Sequence, residues 1–108
     1  MLKHPLINQS VTVIDTPSLV LDLDAMERNL HAMQAFATQH GARLRPHAKM
    51  HKSGQLALLQ MQAGAVGVCV QKTSEAQALA FSGVTNIYVS NQVIAPTKCA
   101  QLAQLCSA

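Results

Sequence analysis

One pattern constrains this chain more than any other: an amphipathic segment, a glycine, then a short apolar stretch, written three times. His40-Gly41 leads into residues 42–44, Ala63-Gly64 into 65–70, and Ser82-Gly83 into 84–90. A glycine just past a helix accepts the left-handed conformation that closes the last turn, so each site reads as a helix-to-strand joint. The three glycines lie 23 and 19 residues apart, about the span of one short strand plus one helix. The segments are not alike residue by residue. What recurs is a β-α unit, and alternating strands and helices imply a parallel sheet with right-handed crossovers.

The starts of the helices agree with this. Asp24 followed by Glu27 has capping-box spacing, and Met26, Leu30, Met33 and Phe36 follow at helical intervals. Ser53 is placed to cap a second helix running to Gly64, and Thr73 or Ser74 a third bearing Ala76, Leu79 and Ala80. Pro96 suits the first turn of a fourth, whose Cys99, Leu102, Ala103 and Cys106 would share a buried face. Strands are expected over residues 18–23, 42–47, 66–70 and 86–90. The third is almost wholly apolar, as befits a parallel strand covered on both faces.

Composition narrows the class. Hydrophobic residues make up 49% of the 108, enough for a core, and no apolar run nears the ~18–20 residues of a membrane span. The N-terminus lacks a continuous apolar stretch of signal-peptide type, so a cytoplasmic location is expected, with no membrane partner. The net charge of +3, no Trp, one Tyr and two Phe leave no stacking surface for nucleic acid. Cys69, Cys99 and Cys106 have no C-x-x-C spacing, which points to reduced thiols. Cys69 reads as a core residue and Met26, Met33 and Met61 as packing residues. Asp22 reads as a strand end, and His31 and His40 as surface positions on the first helix.

In α/β folds chemistry collects where strands end and the next helix has yet to begin. That rule selects the loops near Asp22, over 46–53, over 71–74 and over 91–95. The second stands apart, because residues 45–53 pack Arg45, His47, Lys49, His51 and Lys52 into nine positions. A partly desolvated lysine among like charges is the kind of amine that Schiff-base chemistry uses. The same stretch also reads as a solvated basic loop, or as an anion site at the helix start by Ser53. Zinc ligation by His47 and His51 lacks a third ligand, and Pro46 opposes the helix that would bring the pair together.

Three stretches, Thr16-Pro17-Ser18-Leu19-Val20-Leu21-Asp22, Leu44-Arg45-Pro46-His47-Ala48-Lys49-Met50-His51-Lys52-Ser53 and Val66-Gly67-Val68-Cys69-Val70-Gln71-Lys72-Thr73-Ser74-Glu75-Ala76, occur in order with compatible spacing. Together they resemble the N-terminal part of the D-threonine aldolase and D-serine dehydratase family, pyridoxal 5'-phosphate (PLP) enzymes of the alanine-racemase-like fold. The second and third stretches are most similar to its 3-hydroxy-D-aspartate aldolase branch. The resemblance covers about residues 16–105.

The resemblance implies that Lys49 bonds to PLP, that Gln71 lines the cofactor site, and that His51 and Lys52 support it. It implies an α/β fold, a partial parallel (β/α) TIM-type barrel of the alanine racemase N-terminal kind. Residues 1–15 would be a lead, and 16–108 the start of the barrel domain. Strand 18–23 would belong to the C-terminal β domain and 42–47 would be the first barrel strand. The implied reaction is retro-aldol cleavage of a D-3-hydroxy amino acid, 3-hydroxy-D-aspartate or D-threonine, to glycine and an aldehyde. The alternatives are a D-serine dehydratase-type ammonia lyase and a non-catalytic PLP-binding homeostasis protein. The family also implies a homodimer and a divalent metal whose ligands this chain lacks. A whole barrel takes ~250 residues, so a fragment with negligible activity of its own is expected.

Overall fold

In the computed structural model residues 5–107 are described; the first four residues of the expected lead lie outside them. The element order is a short 3-10 turn at Val11–Val13, then α1 (Leu23–Gln39), α2 (Gly54–Gln62), β1 (Val68–Val70), α3 (Thr73–Phe81), β2 (Ile87–Val89) and α4 (Pro96–Cys106). β1 and β2 pair in parallel, with Val68 opposite Ile87 and Val70 opposite Val89. The chain is therefore an α/β unit built on a parallel sheet. A closed barrel is not seen within these residues.

Each helix start has a local cause. Asp22, not Asp24, caps α1 by accepting the Ala25 N–H at 2.9 Å. Its earlier assignment as the end of a strand is therefore corrected, and Asp24 falls in the first turn. Ser53 caps α2 as expected, accepting the Leu56 N–H. α3 begins one residue early, with Lys72 at its cap, because Glu75 reaches back to the backbone there. Pro96 opens α4 in the first turn. Gly41, Gly64 and Gly83 all have positive φ, so the recurring joint is real.

Two expected strands are not formed. Residues 18–22 run without ladder partners among the described residues, and Leu23 is already helical. Leu19 is 91% exposed; an isolated strand has nothing to satisfy its backbone groups. Residues 42–47 do run parallel to β1, yet only His47 bridges Cys69. Pro46 has no N–H to give the ladder. The register also slips: the Leu44 carbonyl takes the Val66 N–H at 3.0 Å, while the Pro46 carbonyl takes the Cys69 N–H at 2.7 Å. Two residues on one side thus face three on the other, and the extra one sits at Gly67, with φ +155°.

The core is small-residue packing around β1. Ala48, Ala57, Val68, Val70, Ala76, Leu79 and Val84 form it, with Leu58, Met61, Ile87, Val89, Leu102 and Leu105 packed against it. α4 uses Leu102 and Leu105 for this contact, so Cys99 and Cys106 face solvent and the expected cysteine face is corrected. Cys69 is buried in β1 as read. α1 stays half open: Ala37 is buried, but Met33 and Phe36 are half exposed, against the packing role read for Met33. The chain exposes 8320 Å², where a compact domain of its mass exposes about 5,800 Å². No helix among the described residues is long and apolar enough to cross a membrane.

Candidate active site

The ends of the parallel strands converge on one side of the sheet. Residues 42–47 run into a turn over 48–51, β1 runs into Gln71 and Lys72, and β2 into Ser90. The turn is held from within. Ala48 is 1% exposed, its N–H donates to the Cys69 carbonyl at 2.7 Å, and its carbonyl accepts the Lys52 N–H at 2.8 Å. A buried alanine thus carries an exposed Lys49 on its shoulder. The expected partial desolvation of Lys49 is corrected, because the turn that buries Ala48 leaves position 49 exposed.

The two histidines of the loop share one local device. His47 Nδ1 accepts the Lys49 N–H at 3.2 Å, and His51 Nδ1 accepts the Ser53 N–H at 3.0 Å. Their other nitrogens differ. His47 Nε2 meets Ser90 Oγ at 3.2 Å, whereas His51 Nε2 is buried with no hydrogen-bond partner among the described residues. With both Nδ1 atoms occupied by N–H donors, neither can ligate zinc there. Among the described residues no three His, Cys, Asp or Glu side chains gather as a metal would require.

Gln71 is exposed immediately beyond β1. Its backbone N–H and that of Lys72 both donate to Glu75 Oε2, at 3.0 and 3.1 Å. Burial alone would raise the Glu75 pKa. These two N–H groups, with the charges of Lys52 and Lys72, hold it below its ordinary value instead. Glu75 Oε1 also lies 3.7 Å from Lys52 Nζ, a pairing that leaves the Lys52 side chain exposed. A small cavity of about 250 Å³ lies here, lined by Ala48, Lys52, Lys72, Ser74 and Glu75 among others.

The larger concavity is elsewhere. About 620 Å³ opens between α1, residues 44–46 and α2, lined by Met26, Leu30, Met33, Leu44, Pro46 and Gln60 among others. Its wall is mostly apolar, with Asp22, Asn29, Gln34 and Gln60 as polar members, and does not include Lys49. The sequence reading thus found Lys49, His51 and Gln71 around one set of strand ends. It missed three supports. Glu75 was detectable, three residues past Lys72 at capping-box spacing. His47 and Ser90 were detectable only as residues at strand ends, because their contact spans 43 positions.

The family described as "Alanine racemase, N-terminal domain" matches residues 21–107. A D-threonine aldolase from an Arthrobacter species is 53% identical over 92 residues, 85% of this chain and 24% of its own length. A 3-hydroxy-D-aspartate aldolase from Paracoccus denitrificans is 50% identical over 93 residues, again 85% and 24%. A D-threo-3-hydroxyaspartate dehydratase from Delftia sp. (strain HT23) is 40% identical over 96 residues, 89% and 25%. The crystal structure of D-threonine aldolase from Filomicrobium marinum superposes with a TM-score of 0.83 at 55% identity, over 84% of this chain and 25% of that one. The chain spans about a quarter of the length of the relatives it matches.

Proposed function

The chain belongs to the alanine racemase N-terminal domain family, and on that premise we propose that it carries the lysine end of the active site of a PLP-dependent carbon–carbon lyase. The substrate class is D-3-hydroxy amino acids, cleaved to glycine and an aldehyde. The observation that carries the reading is Lys49: an exposed amine on a turn rooted in the core, at the ends of parallel strands, in a chain 53% identical to a D-threonine aldolase over 92 residues.

The residues present fit that cofactor. An aldehyde needs an amine that is open to it, and Lys49 is exposed. Bound, PLP supplies an electron sink for the carbanion left when the Cα–Cβ bond breaks. Lys49 Nζ would hold the cofactor and give it up to the substrate amine. Gln71, exposed at the end of β1, would line the site. His51 brings a nitrogen that is buried and unpartnered among the described residues, and its neutral ring carries its hydrogen there because Nδ1 is an acceptor. A polar group that costs free energy while unpaired is suited to a cofactor oxygen.

A second reading is dehydration, favoured by the 40% identity to a D-threo-3-hydroxyaspartate dehydratase. There the α-proton is removed and the β-hydroxyl leaves; Lys49, Gln71 and His51 would keep the same places. The longer protein would contain the whole TIM-type barrel begun by residues 16–108, be a cytoplasmic homodimer, and take its divalent metal from residues beyond these.

The test is addition of PLP to the chain. A visible absorbance band of lysine-bound cofactor is expected, and Lys49→Ala should abolish it; a band that survives would overturn the assignment of Lys49. Glycine release from 3-hydroxy-D-aspartate by the 108 residues alone is expected to be negligible, and robust turnover would refute that expectation.

A further inference from the structure

The attachment of the Lys49 turn can be followed bond by bond across the sheet. The Lys49 N–H donates to His47 Nδ1, so that nitrogen carries no hydrogen, and in the neutral ring the hydrogen sits on Nε2. Nε2 faces Ser90 Oγ at 3.2 Å. Accepting from Nε2–H leaves the Ser90 hydroxyl hydrogen to donate to the Val70 carbonyl at 3.2 Å, which also receives the Ser90 N–H at 2.8 Å. Every donor has an acceptor, in one direction only. The line runs from the lysine backbone through His47 to the end of β2 and closes on the last residue of β1.

We propose that His47 and Ser90 are positioning residues for Lys49, a bracket that sets where its amine emerges relative to the ends of β1 and β2. The inference rests on the reading of Lys49 as the cofactor lysine and adds two residues to it. Ala48 anchors the start of the turn to β1, through one bond to Cys69 and a buried methyl. Beyond that bond, the Ala48 carbonyl is tied only within the turn, to the Lys52 N–H. The His47 bond holds the Ala48–Lys49 peptide plane, from which the Lys49 Cα departs, on its N–H side, and Ser90 holds the His47 ring. His51 makes the same backbone contact without a counterpart of Ser90, so it orders only its own turn. Gln71 emerges from the strand whose last carbonyl closes the line, so the bracket sets Lys49 against a second residue assigned to the site.

The experiment traps PLP on the chain with borohydride and measures by peptide mass spectrometry how the label divides among Lys49, Lys52 and Lys72. Long-range nitrogen NMR reads the His47 tautomer in parallel. The unaltered chain should label mainly at Lys49 and show a bare His47 Nδ1. Ser90→Ala should lower the Lys49 share about fivefold, the effect of one net hydrogen bond, and Ser90→Thr, which keeps the hydroxyl, should restore it. His47→Asn, whose amide keeps an acceptor for the Lys49 N–H but does not reach Ser90, should lose the preference as Ser90→Ala does; circular dichroism confirms that both stay folded. An unchanged Lys49 share in folded Ser90→Ala, or a hydrogen on His47 Nδ1, overturns the bracket alone. Label falling on Lys52 or Lys72 in the unaltered chain overturns the reading of Lys49 and the bracket with it.

Discussion

Replacing Gly67 by alanine tests how the strand ends are aligned. A Cβ at Gly67 would collide with the Asn86 carbonyl oxygen, and would meet Arg45 Nη1 at 2.7 Å and Asn86 Cβ at 2.8 Å. None of these is free to give. The Asn86 carbonyl accepts the Val68 N–H at 2.9 Å, which starts the β1–β2 pairing, and Arg45 Nη1 donates to Asn86 Oδ1 at 2.8 Å. To admit the methyl, the strands must part and lose the ladder bond, about 1 kcal/mol, and the charged Arg45 bond, about 1.5–3 kcal/mol. The unfavourable φ of +155° adds about 1 kcal/mol. The sum is about 4 kcal/mol, a large part of the 5–15 kcal/mol of an ordinary domain. Gly41→Ala is the control, because its φ is +64° but nothing lies within 4 Å of the added methyl; it should cost only about 1 kcal/mol. Urea unfolding of the two variants measures the difference. Equal destabilisation would mean that conformation alone, and not the close approach of Arg45 and Asn86, reserves Gly67.

Other consequences are as direct. Leu79→Ala, in a side chain 2% exposed, should cost about 3 kcal/mol, while Leu19→Ser at a 91% exposed site should stay within about 0.5 kcal/mol; thermal melts separate them. Glu75→Gln should cost about 1 kcal/mol by weakening the start of α3. Because the folded carboxyl is held low, its contribution is whole above about pH 5, shrinks as pH falls below the ordinary glutamate value, and ends once pH has passed the lowered one. Urea midpoints measured from pH 7 to 3 should therefore converge for Glu75→Gln and the unaltered chain, and a constant gap would contradict the assigned cause.

Local chemistry was legible at many points where neighbours in sequence decide the outcome, although the caps of α1 and α3 fell at Asp22 and Lys72 rather than at the residues expected. Ser53 before α2, Pro96 at the start of α4, and the glycines after α1, α2 and α3 were all readable, because a cap needs only residues within a turn of it. The apolar run around β1 was equally clear, since a strand covered on both faces admits little else. The reading failed where pairing depends on distant partners. Residues 18–22 have strand composition but no neighbour to bond among the described residues. Residues 42–47 have one, yet meet it through Pro46 and a slipped register that no periodicity reveals.

The site divides along the same line. The loop of alternating histidines and lysines announced itself at positions 45–53, and its likeness to a family named Lys49, Gln71 and His51. Tertiary structure alone paired Lys52 with Glu75, because their contact joins the loop to α3 across 23 positions. It alone joined His47 to Ser90, 43 residues away. Sequence therefore determined what chemistry the chain carries, since side-chain identity and local caps are written residue by residue. The fold decided where that chemistry points, because only parallel strands brought side by side can carry an alignment from one strand end to the next.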